Sequence, residues 1–392
     1  MFSKRTHWDT RLNRFTQAQV DLKDRGVKLI DLTVSNPTAC GIQYDEERIL
    51  NALGRPDCLT YEPEPKGILS ARCAVSDYYA ALADPVSLPA ENIFLTTSTS
   101  EGYSFCFRLL CDAGDEVLVP QPGYPLFDLL ADIQDVRLVP YDLVYDHAWQ
   151  VDLNSVRAAI SPRTRAVVVV NPSNPAGSFL KAGEMRELKS ICMKHDLAMI
   201  SDEVFLDYSF DPLSRVSTLA GNHETLSFTL SGLSKIAGLP QMKLSWIAVS
   251  GPKELLQDAV SRLELISDTY LSVSAPIQHA LPELLDSRNN FHRQLMARLG
   301  SNLNTLDSQL SAQKSCVRLQ VEGGWYVTLR VPVTRSDEEL AIALMNHAGV
   351  LVHPGHFFDF REEGRLVLSL MTPENDFAEG VSRILAYIAS SS

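Results

Sequence analysis

Short runs of apolar and β-branched residues alternate with amphipathic stretches through the middle of this chain, and that order restricts the fold more than any other feature. The apolar runs predict strands at residues 91–97, 116–120, 136–141, 165–171, 197–202 and 226–231. Helical periodicity predicts helices at residues 100–111, 125–133, 152–160 and 181–195. Repeated units of this kind place parallel strands side by side with helices on both faces. The sequence therefore predicts an α/β domain with a mostly parallel sheet.

The two ends of the chain follow a different pattern. Helices are predicted at residues 9–25, 287–311, 337–348 and 373–389, and strands at residues 325–331 and 366–370. We expect these ends to form a smaller α+β domain beside the sheet domain. The predicted division is an N-terminal arm with part of the small domain at 1–44, a large domain at 45–285 and a small C-terminal domain at 286–392.

Composition and charge disfavour several classes of function. With 35 Lys and Arg against 48 Asp and Glu the net charge is −13, and no basic cluster offers a surface for nucleic acid. No apolar run is long enough for a membrane helix and the polar N-terminus lacks a secretory signal, so we expect no membrane partner and a cytoplasmic location. The seven scattered cysteines contain no Cys-x-x-Cys pair, so neither a disulfide framework nor a metal site is expected.

The signature motifs that commonly accompany parallel sheets are missing from the sequence. No Gly-x-Gly-x-x-Gly follows a predicted strand, and neither the P-loop pattern nor Gly-x-Ser-x-Gly occurs. A nicotinamide dehydrogenase, a P-loop nucleotidase and an α/β hydrolase are therefore disfavoured.

Polar residues instead follow four of the predicted strands, at the edge where open α/β sheets bind ligands. Residues 98–101 start a helix whose free N–H groups suit a phosphate, residues 171–177 form a rigid turn, Asp202 ends a strand, and Lys235 follows a turn of small residues. Each also has a plain structural interpretation as a helix cap, a loop, a capped turn or a solvated lysine. A lysine held at this edge has a second interpretation, as an amine of lowered pKa that acts as a Schiff-base nucleophile.

Taken together, eight motifs in order along nearly the whole chain resemble the class I aminotransferases that depend on pyridoxal 5'-phosphate (PLP), the aspartate aminotransferase superfamily of fold type I. The motifs are Ser35-Asn36-Pro37, Tyr61-x-Pro-x-Pro-x-Gly67, residues 97–101, Pro120-x-Pro-x-Tyr124-Pro125, residues 171–177, Ser201-Asp202-Glu203-Val204, Ser234-Lys235 and Pro354-Gly355-x-x-Phe358. The resemblance implies a large domain with a mostly parallel sheet of the seven-stranded type, PLP as cofactor, and a homodimer with shared active sites.

The resemblance also implies roles for individual residues. Lys235 corresponds to the lysine that forms a Schiff base with PLP and transfers a substrate proton, and Asp202 to the carboxylate that keeps the pyridine nitrogen protonated. Asn174 corresponds to the residue that hydrogen-bonds the O3' oxygen, and Tyr124 to the aromatic residue that stacks on the ring. The implied phosphate-binding residues are Thr99, Ser100, Ser234, Lys243 and, from the neighbouring subunit, Tyr61.

Several positions depart from the family pattern. Phe205 stands where a tyrosine commonly hydrogen-bonds O3', which leaves that bond missing unless Tyr208 supplies it. Gly232 stands where a serine is expected three residues before the lysine, and Lys243 replaces an arginine, keeping the charge but losing the bidentate fork.

The site for the substrate carboxylate departs furthest from the family pattern. The family's arginine lies two residues before a late-strand serine, but here that position is Val367. Arg365 lies on the same strand face two residues earlier, with Arg361 also near, and Asn36 belongs to the first motif. Arg365 and Asn36 are the predicted substrate-binding residues, and a solvated strand-end arginine is the alternative interpretation.

The resulting hypothesis is a PLP-dependent aminotransferase that moves an amino group between an amino acid or related amine and a 2-oxo acid by a ping-pong cycle. The altered carboxylate site keeps open a PLP-dependent lyase, decarboxylase or cyclase of specialised metabolism. A regulatory or binding protein on the same fold is a further alternative, disfavoured because Lys235, Asp202 and Asn174 are all retained.

Overall fold

The computed structural model describes residues 1–211 and 218–391. Within these residues the helices are α1 (Arg14–Asp24), α2 (Glu46–Leu53), α3 (Leu69–Ala80), α4 (Thr99–Leu110), α5 (Phe127–Ile133), α6 (Leu153–Ala159), α7 (Ala182–Lys194), α8 (Leu233–Ile236), α9 (Lys253–Tyr270), α10 (Ala275–Ser311), α11 (Asp337–Ala343) and α12 (Glu374–Ser391). None of these helices is long and apolar enough to cross a bilayer.

The strands of the same residues form three sheets. They are β1 (Ile30–Asp31), β2 (Ile93–Thr96), β3 (Glu116–Gln121), β4 (Arg137–Asp146), β5 (Ala148–Val151), β6 (Thr164–Val170), β7 (Ala198–Asp202), β8 (Ser227–Gly232), β9 (Ser245–Ser250), β10 (Val317–Arg318), β11 (Tyr326–Arg330), β12 (Val350–Leu351), β13 (His353–Pro354) and β14 (Arg365–Ser369).

The central sheet has eight strands in the order β2-β9-β8-β7-β6-β3-β4-β5. The five strands from β8 to β4 run parallel, whereas β2, β9 and the edge strand β5 are antiparallel to their neighbours. The predicted α/β class with a mostly parallel sheet is confirmed, and β5 adds one edge strand to the seven-stranded type.

Helices cover both faces of this sheet, as its buried strands require. On one face α4, α5 and α9 pack on side chains such as Phe94, Leu230 and Ile247. On the other face α6 and α7 pack on β6, while α3 and the first part of α10 pack on β2 and β9. The carboxyl ends of the parallel strands lie together at one edge of the sheet.

The second layer of structure comes from both chain ends. Four strands in the order β10-β11-β14-β13 form an antiparallel sheet, and β1 pairs in parallel with β12. Their buried side chains share one core with α1, α11, α12 and the second part of α10. The division at residues 285 and 286 stays a prediction, and it falls inside α10, whose two parts belong to different cores.

Some elements differ from the sequence predictions. The sequence predictions lack β9, which pairs antiparallel with both β2 and β8. They also lack α9 and begin α10 at residue 287, whereas α10 begins at Ala275 and continues through Pro282, although proline normally ends a helix. Helix α1 begins at Arg14 because the Asn13 side chain caps it by accepting from Thr16 N at 2.7 Å.

Candidate active site

Three neighbouring strands deliver polar side chains to one edge of the central sheet. Asp202 is the last residue of β7 and pairs with Leu230 of β8. Strand β8 ends at Gly232 and passes directly into the short helix α8, which carries Ser234 and Lys235. Because β7 and β8 run parallel, the carboxylate and the amine meet at the same edge.

The Asp202 carboxylate is buried, with 8% of the residue exposed. Oδ1 accepts a hydrogen bond from Val204 N at 3.2 Å, and Oδ2 accepts one from the Tyr103 hydroxyl at 3.1 Å. Burial raises the pKa of Asp202 to about 6, although both hydrogen bonds and the Lys235 charge oppose the rise. At neutral pH the carboxylate is therefore mostly ionised.

Lys235 lies in an aromatic environment. Its Nζ is 4.8 Å from the centre of the Trp325 ring and 5.7 Å from that of Phe205. Burial lowers the pKa of the Lys235 ammonium to about 8, while the nearby Asp202 carboxylate acts in the opposite direction. About a tenth of the amine is therefore neutral and nucleophilic at pH 7.

The loop after β6 presents unpaired polar atoms to the same edge. The amide oxygen of Asn174, the amide nitrogen of Asn171 and the Ser173 hydroxyl are buried without hydrogen-bond partners. The loop contains cis peptide bonds before Pro172 and Pro175. Since buried polar groups are normally paired, this cluster indicates a site that a polar ligand completes.

The start of α4 forms an anion-binding end of the site. Ser98 caps the helix by accepting from Glu101 N at 3.2 Å, and the Glu101 side chain accepts from Thr97 N at 2.6 Å. The N–H groups of Thr99 and Ser100 lie in the first turn of α4, where no helical carbonyl lies four residues earlier, so they are free to bind an anion.

The other predicted cofactor residues lie on elements that border this edge. The Tyr124 ring packs edge-on against Phe127 at 5.7 Å, and burial, together with the nearby Asp202 charge, raises the pKa of Tyr124. Lys243 is exposed and directly precedes Leu244, whose carbonyl accepts from Leu233 N at 3.0 Å. Tyr61 is 71% exposed in the single chain, and the contact predicted for it in a neighbouring subunit stays a prediction.

The two predicted substrate-binding residues are not brought to this site. The guanidinium of Arg365 pairs with Glu362 and lines a surface cavity of about 560 Å³ together with Lys314 and Arg330. Asn36 is exposed, and its side-chain oxygen accepts from Thr38 N at 3.1 Å within its own turn. Local partners hold both side chains among the described residues, and the two assignments remain untested.

The alternative arginine and the alternative tyrosine are also held elsewhere. Arg361 is bonded to Gln121 at 3.2 Å and to Asp142 at 2.6 Å. The Tyr208 hydroxyl donates to the carbonyl oxygen of Lys235 at 2.5 Å. Tyr208 therefore supports the backbone of the lysine and does not replace the hydroxyl that Phe205 lacks.

Two residues of this site do not appear among the sequence predictions. Tyr103 lies on the apolar face of α4 and resembles an ordinary core residue, although its hydroxyl contacts Asp202. Trp325 precedes a strand of the other core, so no local pattern connects it with Lys235. A signal for Tyr103 was available, because a hydroxyl on an otherwise apolar helix face needs a buried partner.

We expect Tyr103→Phe to lower kcat without unfolding the protein. A hydrogen bond to a charged group contributes about 1.5–3 kcal/mol, so its loss from Asp202 lowers kcat by about tenfold or more. Tyr141→Phe is the matched control, since that buried hydroxyl donates to Val168 O at 2.9 Å on the opposite face of the sheet. Equal kcat values for the two variants would show that the Tyr103 hydroxyl has no role at the site.

For Arg365→Ala we expect little effect on substrate binding. Because its guanidinium is already paired with Glu362, KM for an amino-acid substrate changes by less than about threefold. Steady-state kinetics of Arg365→Ala and of Arg361→Ala test this directly. A rise in KM of about a hundredfold in the Arg365 variant alone would restore it as the carboxylate ligand.

Comparison with known proteins assigns the chain to a class. Residues 43–384 match the model of the family described as aminotransferase class I and II. The chain therefore belongs to this family, and it is an aminotransferase.

Particular relatives agree along nearly the whole length. A glutamate-pyruvate aminotransferase AlaA of Haemophilus influenzae is 23% identical over 94% of this chain and 92% of the relative. An alanine aminotransferase of Mycobacterium tuberculosis is 25% identical over 94% of this chain and 87% of the relative. The solved alanine aminotransferase of Pyrococcus furiosus shares the fold with a TM-score of 0.89 and 21% identity, covering 100% of both chains. None of these similarities favours the lyase, decarboxylase or cyclase alternative.

The residues present fit the cofactor that the family implies. The free N–H groups at the start of α4 suit a phosphate, the ionised Asp202 suits a protonated pyridine nitrogen, and the Asn174 side chain, whose amide NH2 can donate, suits a ring oxygen. Lys235, with its lowered pKa, supplies the amine.

Proposed function

We propose that this protein binds PLP at the carboxyl edge of the central sheet, with Lys235 as its amine and Asp202 as the partner of its ring nitrogen. The observation that carries the proposal is the proximity of Asp202 and Lys235. A buried carboxylate and a buried amine interact electrostatically at the ends of two adjacent parallel strands, with a neutral fraction of amine near neutral pH. Sites with such shifted pKa values are typical of catalytic groups.

Bound PLP supplies an aldehyde that reacts with amines and a ring that accepts electrons. With PLP bound, the anionic Asp202 would hold the ring nitrogen and favour its protonated form, and the Tyr103 hydroxyl keeps the carboxylate in orientation. The Lys235 amine, whose Nζ lies 4.8 Å from the centre of the Trp325 ring, would accept the proton from the substrate Cα and deliver it to the C4' carbon of the bound cofactor within the same half-reaction. The other half-reaction would run this proton transfer in reverse.

The reaction that this arrangement supports is amino-group transfer between an amino acid or related amine and a 2-oxo acid. The names of the relatives point to alanine or glutamate as donor and pyruvate or 2-oxoglutarate as acceptor. The ping-pong cycle would use the same Lys235 amine for the proton transfer of both half-reactions.

The protein is proposed to act as a cytoplasmic homodimer. An exposed Tyr61 on the segment between α2 and α3 is consistent with a side chain that completes the phosphate site of a second subunit. Small-angle scattering of the purified protein tests the dimer, and a monomeric mass at working concentration would contradict it.

The experiment that tests the reaction follows the nitrogen. The purified protein is incubated with PLP, ¹⁵N-labelled L-alanine and 2-oxoglutarate, and the products are resolved by NMR and mass spectrometry. We expect ¹⁵N in glutamate together with pyruvate. Release of ¹⁵N as ammonium, or of carbon dioxide from alanine, would contradict transamination and support elimination or decarboxylation.

A further inference from the structure

The last pair of the β8–β9 ladder combines a glycine with a serine. Gly232, at the end of β8, lies opposite Ser245, at the start of β9. Ser245 also lies opposite Thr96, the last residue of β2 before the loop that starts α4. Ser245 therefore stands between the two chain segments that form the anion-binding end of the site.

The Ser245 hydroxyl occupies the space that a side chain at Gly232 would need. A Cβ atom built on Gly232 lies 2.2 Å from Ser245 Oγ and 2.7 Å from Ser245 Cβ. No real Cβ fits at such distances, so a serine at residue 232 and the present serine at residue 245 exclude one another.

The face of the sheet on which Ser245 lies is the face that α4 covers. Leu230 and Ile247 come two residues earlier and later on the same strands, so they share a face with Gly232 and Ser245. Both contact the first turn of α4, because a Cβ on Gly102 would lie 3.2 Å from Leu230 and 3.4 Å from Ile247. Ser245 therefore lies two residues nearer to the edge of the sheet than Ile247, on the side of Thr99 and Ser100.

We propose that Ser245 supplies the phosphate-binding hydroxyl that is missing at residue 232, so that the hydroxyl comes from β9 instead of β8. This assignment rests on the proposed function, because the anion is the phosphate of PLP. The hydroxyl donates one hydrogen bond to a phosphate oxygen, beside the N–H groups of Thr99 and Ser100. The same arrangement explains the glycine at residue 232, because the lack of a side chain there leaves the space that the Ser245 hydroxyl fills.

The test compares two ligands that differ only in the phosphate. The dissociation constants of PLP and of pyridoxal are measured by absorbance titration of the apoprotein, for the wild type and for Ser245→Ala. We expect Ser245→Ala to weaken PLP binding by about tenfold and to leave pyridoxal binding unchanged, because only PLP presents a phosphate to the hydroxyl. Ser250→Ala is the matched control, a buried serine at the far end of the same strand.

A second variant exchanges the two positions. Gly232→Ser alone should lower the unfolding temperature because it clashes with Ser245, whereas Gly232→Ser with Ser245→Gly should recover the affinity for PLP. An unchanged ratio of PLP to pyridoxal affinity in Ser245→Ala would overturn the role of Ser245 while leaving the proposed function intact. A wild-type protein that binds no PLP would overturn both.

Discussion

Replacing Asp202 by Asn is expected to lower kcat by about 10²–10⁴-fold. The proposed pair of Asp202 with the protonated ring nitrogen of PLP is a buried ion pair, and breaking such a pair costs about 3–5 kcal/mol, where each 1.36 kcal/mol is tenfold in rate. The buried carboxylate lies at the end of β7, held by Tyr103 and Val204. Asparagine keeps the size of the side chain but carries no charge to favour a protonated ring nitrogen. The cofactor should still bind, since the start of α4 and Lys235 are unchanged.

Steady-state kinetics and a PLP titration of the same preparation separate these effects. Asp207→Asn is the matched control, because Asp207 lies five residues later and accepts from the Tyr78 hydroxyl at 3.1 Å, away from Lys235. That variant should lose some stability and keep its kcat. Near-normal kcat in Asp202→Asn would instead show that Asp202 only caps a turn.

The Lys235→Ala variant is expected to lose activity by about 10⁴-fold or more, at or beyond the upper end of the range for a general acid–base residue. The loss exceeds that range because Lys235 both holds the cofactor through its amine and transfers the substrate proton. No other lysine of the described residues contacts the Trp325 and Phe205 rings. Alanine leaves no amine to take over either task.

Lys243→Ala provides the comparison for this variant. Lys243 is exposed and follows a short helical turn in a left-handed conformation with φ of 51°, so its loss removes a charge without opening the core. We expect weaker binding of PLP and a nearly normal kcat at saturating cofactor. A larger loss of kcat in Lys243→Ala than in Lys235→Ala would reverse the two assignments.

Much of the fold and part of the site follow from local sequence patterns. Asp202 and Lys235 each come directly after an apolar strand, and the carboxyl ends of parallel strands necessarily meet at one edge. The same reasoning finds residues 98–101 and 171–177. Each of these signals lies within a few residues along the chain, which is why the sequence alone reveals it.

The remaining features depend on contacts between distant segments. Strand alternation assigns Arg365 to a face, but it cannot show that Glu362, three residues earlier, holds the guanidinium. The role of Ser245 depends on β9 pairing with both β2 and β8, from which it is separated along the chain. The sequence does not reveal the role of Tyr103 for another reason: its ring packs in the core, and only its hydroxyl reaches Asp202.

The most direct measurement of the central claim locates the cofactor on the chain. The purified protein is saturated with PLP, reduced with borohydride, digested and mapped by mass spectrometry. We expect a single pyridoxyl label on Lys235 and a matching loss of visible absorbance on reduction. A label on Lys243 or on another lysine, or a protein that retains no PLP, would contradict the account.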